Sequence, residues 1–334
     1  MNLDRKNLPA YLQRKRLVAK NELLQITPIG DGKKNTVFRV NTPEQPLYVK
    51  QALSRAQVKE RWWLDRKRIF QECACLEMLG DLLPPEVVPE VILEDRTDFI
   101  MVTTAPPKNA EHWNLQLERG RIDLQIAAQC GELLATVHNE TIDNRDLKSV
   151  FKDTKPFEQL RIEPLYARVL QTFPELKKII DAQSRHLLKD RRTLVLGDVR
   201  PRNVWIDTGQ VYLVDFAAAH FGNPSFDLAF YSADLCLRAM RHSMQKAAYL
   251  EAINVYWNAY FRISEYPKVE EIERAAVRDL GCLLLSATDG REPVDYFSEP
   301  MESLSRRIAQ SLIFTELEKI EDITEFINRT LIDG

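Results

Sequence analysis

Between Thr193 and Asp215 three short apolar runs are separated by one polar loop and one two-residue turn, and this alternation dictates what the centre of the fold can be. Thr193-Leu194-Val195-Leu196 and Val204-Trp205-Ile206-Asp207 have the β-branched, apolar character of strands. Thr208-Gly209 followed by Val211-Tyr212-Leu213-Val214-Asp215 then reads as a tight hairpin. The polar residues gather at the strand ends. Asp198 and Asn203 lie on the loop Gly197-Asp198-Val199-Arg200-Pro201-Arg202-Asn203, and Asp215 closes the return strand. Such a loop brings two carboxylates and an amide to one end of a small sheet. Phosphoryl transfer needs that set, with Asp198 positioning and deprotonating the attacking hydroxyl and Asn203 and Asp215 binding a metal.

The surrounding pattern splits the chain. Leu23-Leu24-Gln25-Ile26, Thr36-Val37-Phe38-Arg39-Val40 and Leu47-Tyr48-Val49-Lys50 form a β-meander. Ile69, Cys73, Leu76 and Leu79 make the stripe of an amphipathic helix that Pro84-Pro85 stops, and strands are expected at Glu90–Leu93 and Phe99–Thr103. Beyond Pro106-Pro107 helical spacing dominates, in Ile126–Val137, Ala247–Phe261, Val269–Ala287 and Met301–Ile327. The expected fold is α+β and bilobal, with a β-rich nucleotide-binding lobe over residues 1–105 and a larger helical lobe for catalysis and acceptor binding over 106–334. The first twenty residues, dense in Lys and Arg, are expected to be a loosely held basic arm.

The first lobe supplies candidates for the nucleotide. Gly30-Asp31-Gly32-Lys33-Lys34-Asn35-Thr36-Val37 is a glycine loop between strands, in which Asn35 stands where a third glycine is usual; Asn tolerates positive φ better than most residues. Val37 is placed to cover an adenine ring. Lys50 ends the third strand, where its ammonium reaches phosphates, and Glu72 on the next helix can pair with it. Met101 and Thr103, on the last strand before the break, complete the candidate nucleotide contacts.

Together these segments resemble the aminoglycoside phosphotransferase and choline kinase superfamily, whose protein-kinase-like fold and H-G-D-x-x-P-x-N motif match Leu196–Asn203 except that Leu196 replaces the histidine. The resemblance implies an ATP- and magnesium-dependent kinase acting on a small-molecule hydroxyl. It also implies a role for Arg200 on the γ-phosphate and a structural role for Asp227, in Gly222-Asn223-Pro224-Ser225-Phe226-Asp227-Leu228-Ala229, as acceptor of hydrogen bonds from the catalytic loop. His138 is expected to be a satisfied helix-end histidine. The first lobe, through Gly30-Asp31-Gly32, Asn35, Val49-Lys50-Gln51-Ala52-Leu53 and Leu64-Asp65-Arg66, is most similar to the methylthioribose kinases. Tyr48 departs from the pattern, since a small residue is usual there. The acceptor is expected to be a methylthioribose-like sugar, an aminoglycoside or an amino alcohol.

Other classes fit less well. A net charge of −3 offers no general attraction to nucleic acid, and the basic Arg66-Lys67-Arg68 lacks interleaved aromatics. Five cysteines without metal-ligand spacing read as core residues of a reduced compartment, and no apolar run is long enough to span a membrane, so a cytoplasmic protein is expected. The eleven residues 216–226 leave no room for the peptide platform of a protein kinase. A nucleotide-binding regulator without transferase activity is the alternative, suggested by Leu196 and Tyr48. For the acceptor pocket the later helices offer Tyr256, Trp257, Arg262, Asp289, Arg291, Asp295 and Tyr296.

Overall fold

A computed structural model describes residues 2–20, 22–314 and 317–333, and the chain divides into two units, Met1–Ala110 and Glu111–Gly334. In the first, helix α1 (Leu8–Arg14) precedes strands β1 (Gln25–Ile29), β2 (Asn35–Asn41) and β3 (Pro46–Ala52), helix α2 (Arg68–Leu82), and strands β4 (Val91–Asp95) and β5 (Ile100–Thr104). The strands form one antiparallel sheet in the order β1-β2-β3-β5-β4. Period-two alternation sorts its residues onto two faces. Phe38, Val40, Leu47, Val49, Ile100 and Val102 are buried on one face, and Leu3, Leu8, Tyr11 and Leu12 pack against them.

The basic N-terminal segment is therefore part of the core and not a loose arm. Leu8, Tyr11 and Leu12 recur at helical spacing among the Arg and Lys residues and are fully buried. Tyr11 Oη donates to Asp95 at 3.0 Å, and Lys15 pairs with the same carboxylate at 2.8 Å. A seven-residue helix is too short to persist alone in water, so the sheet holds it in place.

The second unit opens with β6 (Glu111–His112) and helices α3 (Trp113–Glu118), α4 (Leu124–Thr141), α5 (Arg145–Val150) and the single turn α6 (Lys155–Phe157). A π-helix (Glu158–Ala167) with Pro164 inside it follows, then α7 (Lys177–Lys189). Strand β7 (Thr193–Val195) leads into the polar loop, and β8 (Val204–Asp207) and β9 (Gln210–Leu213) form the hairpin. Thr208 and Gly209 both have positive φ, 50° and 83°, as the two-residue turn requires. Strand β10 (His220–Gly222), with no counterpart in the sequence reading, pairs with β7.

Helices α8 (Ser225–Arg241), α9 (Lys246–Ile263) and α10 (Val269–Asp289) complete the core. The periodic run Met301–Ile327 is two helices, α11 (Glu299–Phe314) and α12 (Ile320–Asp333), with residues 317–319 outside both. All five cysteines are buried and free of disulfides. Among the described residues no helix is long and apolar enough to cross a membrane.

Candidate active site

In the first unit the sheet face opposite α1 gathers most of the expected nucleotide contacts. Val37, Lys50 and Met101 are cross-strand partners on one rung of β2, β3 and β5, and Arg39, Tyr48 and Thr103 form the next rung on the same face. Lys50 Nζ lies 2.8 Å from Glu72 Oε1 of α2, and both side chains are buried, so the ammonium is held by an opposite charge. Gly30 and Gly32 have φ of 74° and 66°, which glycine adopts without cost. Asn35 does not share this geometry, contrary to the expectation from its place in the loop. It is the first residue of β2, and its side-chain oxygen accepts from Arg68 Nη2 at 3.1 Å.

Arg68, in the sequence one of a basic cluster, is a buried strut. Its guanidinium also donates to the carbonyls of Lys34, Leu53 and Asp65, which fastens the end of the glycine loop. Arg66 donates to the carbonyls of Ala52 and Asp98. These arginines hold loops together.

In the second unit one carboxylate shapes the polar loop. Asp227, fully buried near the start of α8, accepts from the backbone N–H of Leu196 at 2.7 Å and of Gly197 at 2.8 Å. Gly197 has φ of 76°, and a Cβ there would come within 2.7 Å of the Ala218 carbonyl, so only glycine fits. His138, at the end of α4, contacts Tyr260 Oη through Nδ1 at 2.9 Å, with Nε2 3.6 Å from Asp227. Leu196, in the histidine position of the motif, is fully buried.

With the loop fixed, Asn203 Nδ2 donates to the Asp198 carbonyl at 2.9 Å, and the Val214 N–H donates to the Asn203 carbonyl at 3.0 Å. That last bond places Asn203 beside the residue preceding Asp215. Asp215 itself has φ of 70°, an uncommon conformation for a residue with a side chain and one that concentrates at functional sites. The Asn203 amide oxygen and the Asp215 carboxylate are hard oxygen donors of the kind magnesium takes, so this donor set fits the ion.

Asp198 is surrounded by arginines. Its Oδ1 accepts from Arg200 Nε at 2.7 Å; its Oδ2 meets Arg161 Nη2 at 2.7 Å and Arg202 Nη2 at 3.4 Å. Burial alone would push this carboxyl upward, but the three guanidinium groups outweigh it and hold Asp198 far below the usual carboxylate range. Arg200 lies over the Phe230 ring at 4.0 Å, and Asp198 is its hydrogen-bond partner here. Arg161 belongs to no motif in the sequence. It sits in the π-helix, and its Nε donates to the Gly197 carbonyl at 2.6 Å.

Behind the loop a second buried carboxyl joins its supports. Asp279 of α10 accepts from Tyr166 Oη of the π-helix at 2.8 Å and from Ser225 Oγ of α8 at 2.9 Å. Burial pushes it up to about 7, with hydrogen bonds from Gln183, Tyr166 and Ser225 pulling the other way. The folded state thus binds a proton that the unfolded chain has released, and stability from this group is full below about pH 4 and is lost as pH rises through about 7. The Asp279→Asn protein is expected to gain on the parent by up to about 4 kcal/mol between pH 4 and pH 8, read from urea unfolding at each pH. A constant difference across that range would show that Asp279 does not titrate there.

The expected acceptor residues do not form one group. Tyr256 and Trp257 are core residues: Tyr256 stacks on Tyr231 at 3.7 Å and Trp257 Nε1 donates to Ser232 Oγ at 2.8 Å. Arg262 pairs with Glu132, Asp289 with Arg306, and Arg291 with Glu163 of the π-helix. Tyr296 lies under Arg241, and Asp295 is exposed.

Comparison with known proteins places these features in a wider group. Residues 25–272 match the model of a family described as the phosphotransferase enzyme family. A methylthioribose kinase of Bacillus cereus is 26% identical over 259 residues, covering 70% of this chain and 65% of that protein. One from Bacillus thuringiensis is 27% identical over 265 residues with the same coverage. The chain therefore spans about 65% of the length of these curated relatives. Among solved structures, a choline/ethanolamine kinase family protein of Mesorhizobium loti aligns with a TM-score of 0.52 at 16% identity, covering 96% of this chain and 99% of that one. An amicoumacin kinase aligns with a TM-score of 0.56 at 13% identity, covering 97% and 100%.

Proposed function

Because this chain belongs to the phosphotransferase enzyme family and has its protein-kinase-like fold, we propose that it transfers the γ-phosphate of ATP to a hydroxyl of a small molecule. The observation that carries this reading is the loop Leu196–Asn203, whose backbone Asp227 pins, whose Asn203 amide the Asp198 carbonyl holds, and whose Asp198 carboxylate three arginines hold. In this reading Lys50, kept in place by Glu72, binds ATP phosphates beside the backbone of Gly30 and Gly32, while Val37, Met101 and Thr103 contact the base. Asn203 and Asp215 hold magnesium, which when bound neutralises charge on the phosphates. Asp198 accepts a hydrogen bond from the acceptor hydroxyl and takes its proton as the new O–P bond forms and ADP leaves. Arg200 offers guanidinium N–H groups to the transferring phosphoryl.

The acceptor is a hydroxylated metabolite resembling a pentose, on the strength of the methylthioribose kinase relatives. The test is ATP consumption with a panel of thiosugars, aminoglycosides, choline-like alcohols and a generic protein. Turnover with a thiosugar is expected, and phosphorylation of protein alone would overturn the reading. Magnesium-ATP at a hundred times its dissociation constant is expected to stabilise the parent by about 2.7 kcal/mol. Asp215→Ala is expected to lose most of that gain in a thermal melt. An equal gain in both proteins would remove Asp215 from the metal site.

A further inference from the structure

The three arginines around Asp198 occupy its oxygens unequally. An ionised carboxylate accepts hydrogen bonds in about four lone-pair directions, two on each oxygen. Arg161 and Arg202 approach Oδ2, and Arg200 approaches Oδ1. One direction on Oδ1 is left for an incoming hydroxyl.

Arg161 differs from its two neighbours in what else it holds. It is buried on the π-helix, and its three nitrogens are distributed over three oxygens: Nε on the Gly197 carbonyl, Nη1 on the Leu160 carbonyl at 2.8 Å and Nη2 on Asp198. Gly197 is also the residue whose N–H Asp227 fixes. Arg161 thus ties the loop backbone and the Asp198 side chain to a single rigid group. Its helix is secured from behind by Tyr166 on Asp279 and by the Arg291 N–H on the Pro164 carbonyl at 2.9 Å. The π-helix is a rare element that is frequent at functional sites.

We propose that Arg161 is a positioning residue of the transfer reaction, which anchors Oδ2 of Asp198 and the Gly197 carbonyl together so that Oδ1 faces the acceptor hydroxyl. The inference rests on the kinase reading above. Arg200, on a flexible stem beside Phe230, can then turn to the transferring phosphoryl without releasing the carboxylate. The charged groups facing Asp198 are Arg161 from the π-helix and Arg200 and Arg202 from its own loop, while α8 presents the Phe230 ring beneath Arg161 and Arg200. Removing Arg161 takes away the group that ties Oδ2 to the loop backbone and frees the carboxylate to rotate.

The full chain and its Arg161→Gln and Arg161→Lys variants test this with two readouts, kcat and the KM for ATP. Magnesium-ATP turnover with the best acceptor is expected to fall about tenfold or more in Arg161→Gln while the KM for ATP stays near the parental value, because the variant loses the orientation of Asp198 and no nucleotide contact. Arg161→Lys is expected to recover only part of the turnover, because one ammonium cannot replace the planar fork. A folded Arg161→Gln protein with parental kcat, or one whose loss is only what its unfolded fraction explains, overturns the proposal. If Arg161→Gln does not fold, Arg161→Lys decides: parental kcat in that variant overturns the proposal. A parent chain that consumes no ATP with any acceptor overturns the kinase reading and this inference with it, whereas an active parent with an equally active Arg161→Gln variant overturns this inference alone.

Discussion

Asp198→Asn is expected to lower turnover by ~10²–10⁴ per folded molecule while leaving nucleotide affinity nearly unchanged, since the substitution keeps the shape of the side chain and removes its capacity to take a proton. The structure adds a second effect. Asp198 is the shared partner of Arg161, Arg200 and Arg202, and an amide neutralises none of them. Breaking a buried ion pair by removing one partner typically costs about 3–5 kcal/mol, so a lower melting temperature is expected alongside the lost turnover. The two effects separate when activity is normalised to the folded fraction and ATP affinity is measured by titration. If the normalised rate stays above about a tenth of the parent's, Asp198 is a loop support and not the group that receives the proton.

Asp227→Ala is expected to have the largest effect on the architecture of the site. It orphans two buried backbone N–H groups, those of Leu196 and Gly197, each worth about 1–3 kcal/mol when left without an acceptor. A loss of about 3–5 kcal/mol in urea unfolding is the expected result, together with activity lost beyond what the unfolded fraction explains. Asp227→Asn retains one acceptor oxygen and is expected to fall between the parent and the alanine variant. Full activity in a stably folded Asp227→Ala protein would mean that the loop holds its shape without this carboxylate.

The layout of the polar loop and hairpin in the second unit is legible in the sequence because it is written locally. Asp198, Asn203 and Asp215 sit at strand ends flanked by apolar residues, and the Thr208-Gly209 turn fixes the spacing between them. The glycines of the first loop, the Lys50–Glu72 pair and the shared face of Val37, Lys50 and Met101 follow from strand alternation once the order of strands is known. Arg161 could not be read in this way. Its helix contains Pro164, which removes a backbone donor and interrupts the 3.6-residue pattern. Its partner Asp198 lies in a distant part of the chain, beyond α7 and β7.

Other misreadings have similar causes. Dense charge in the first twenty residues hid a short apolar stripe. The place of Asn35 in a loop motif points to a glycine-like conformation, whereas pairing with Ala52 across the sheet sets the one it has. The long stripe Met301–Ile327 keeps helical spacing through a segment that is not helical at residues 317–319, because two consecutive helices bury comparable faces.

The packing of α1 against the sheet also bears on how the protein is made. Leu8, Tyr11 and Leu12 are synthesised before the sheet, but the surface that covers them includes Val49, Ile100 and Val102 and is complete only once β5 has been added. At typical translation rates of about 5–20 residues per second, the apolar stripe waits roughly 5–20 s for its partners. During that interval the nascent chain presents leucines and a tyrosine amid positive charge. A ribosome-associated chaperone that recognises apolar side chains flanked by Arg and Lys would therefore meet this segment before the sheet does.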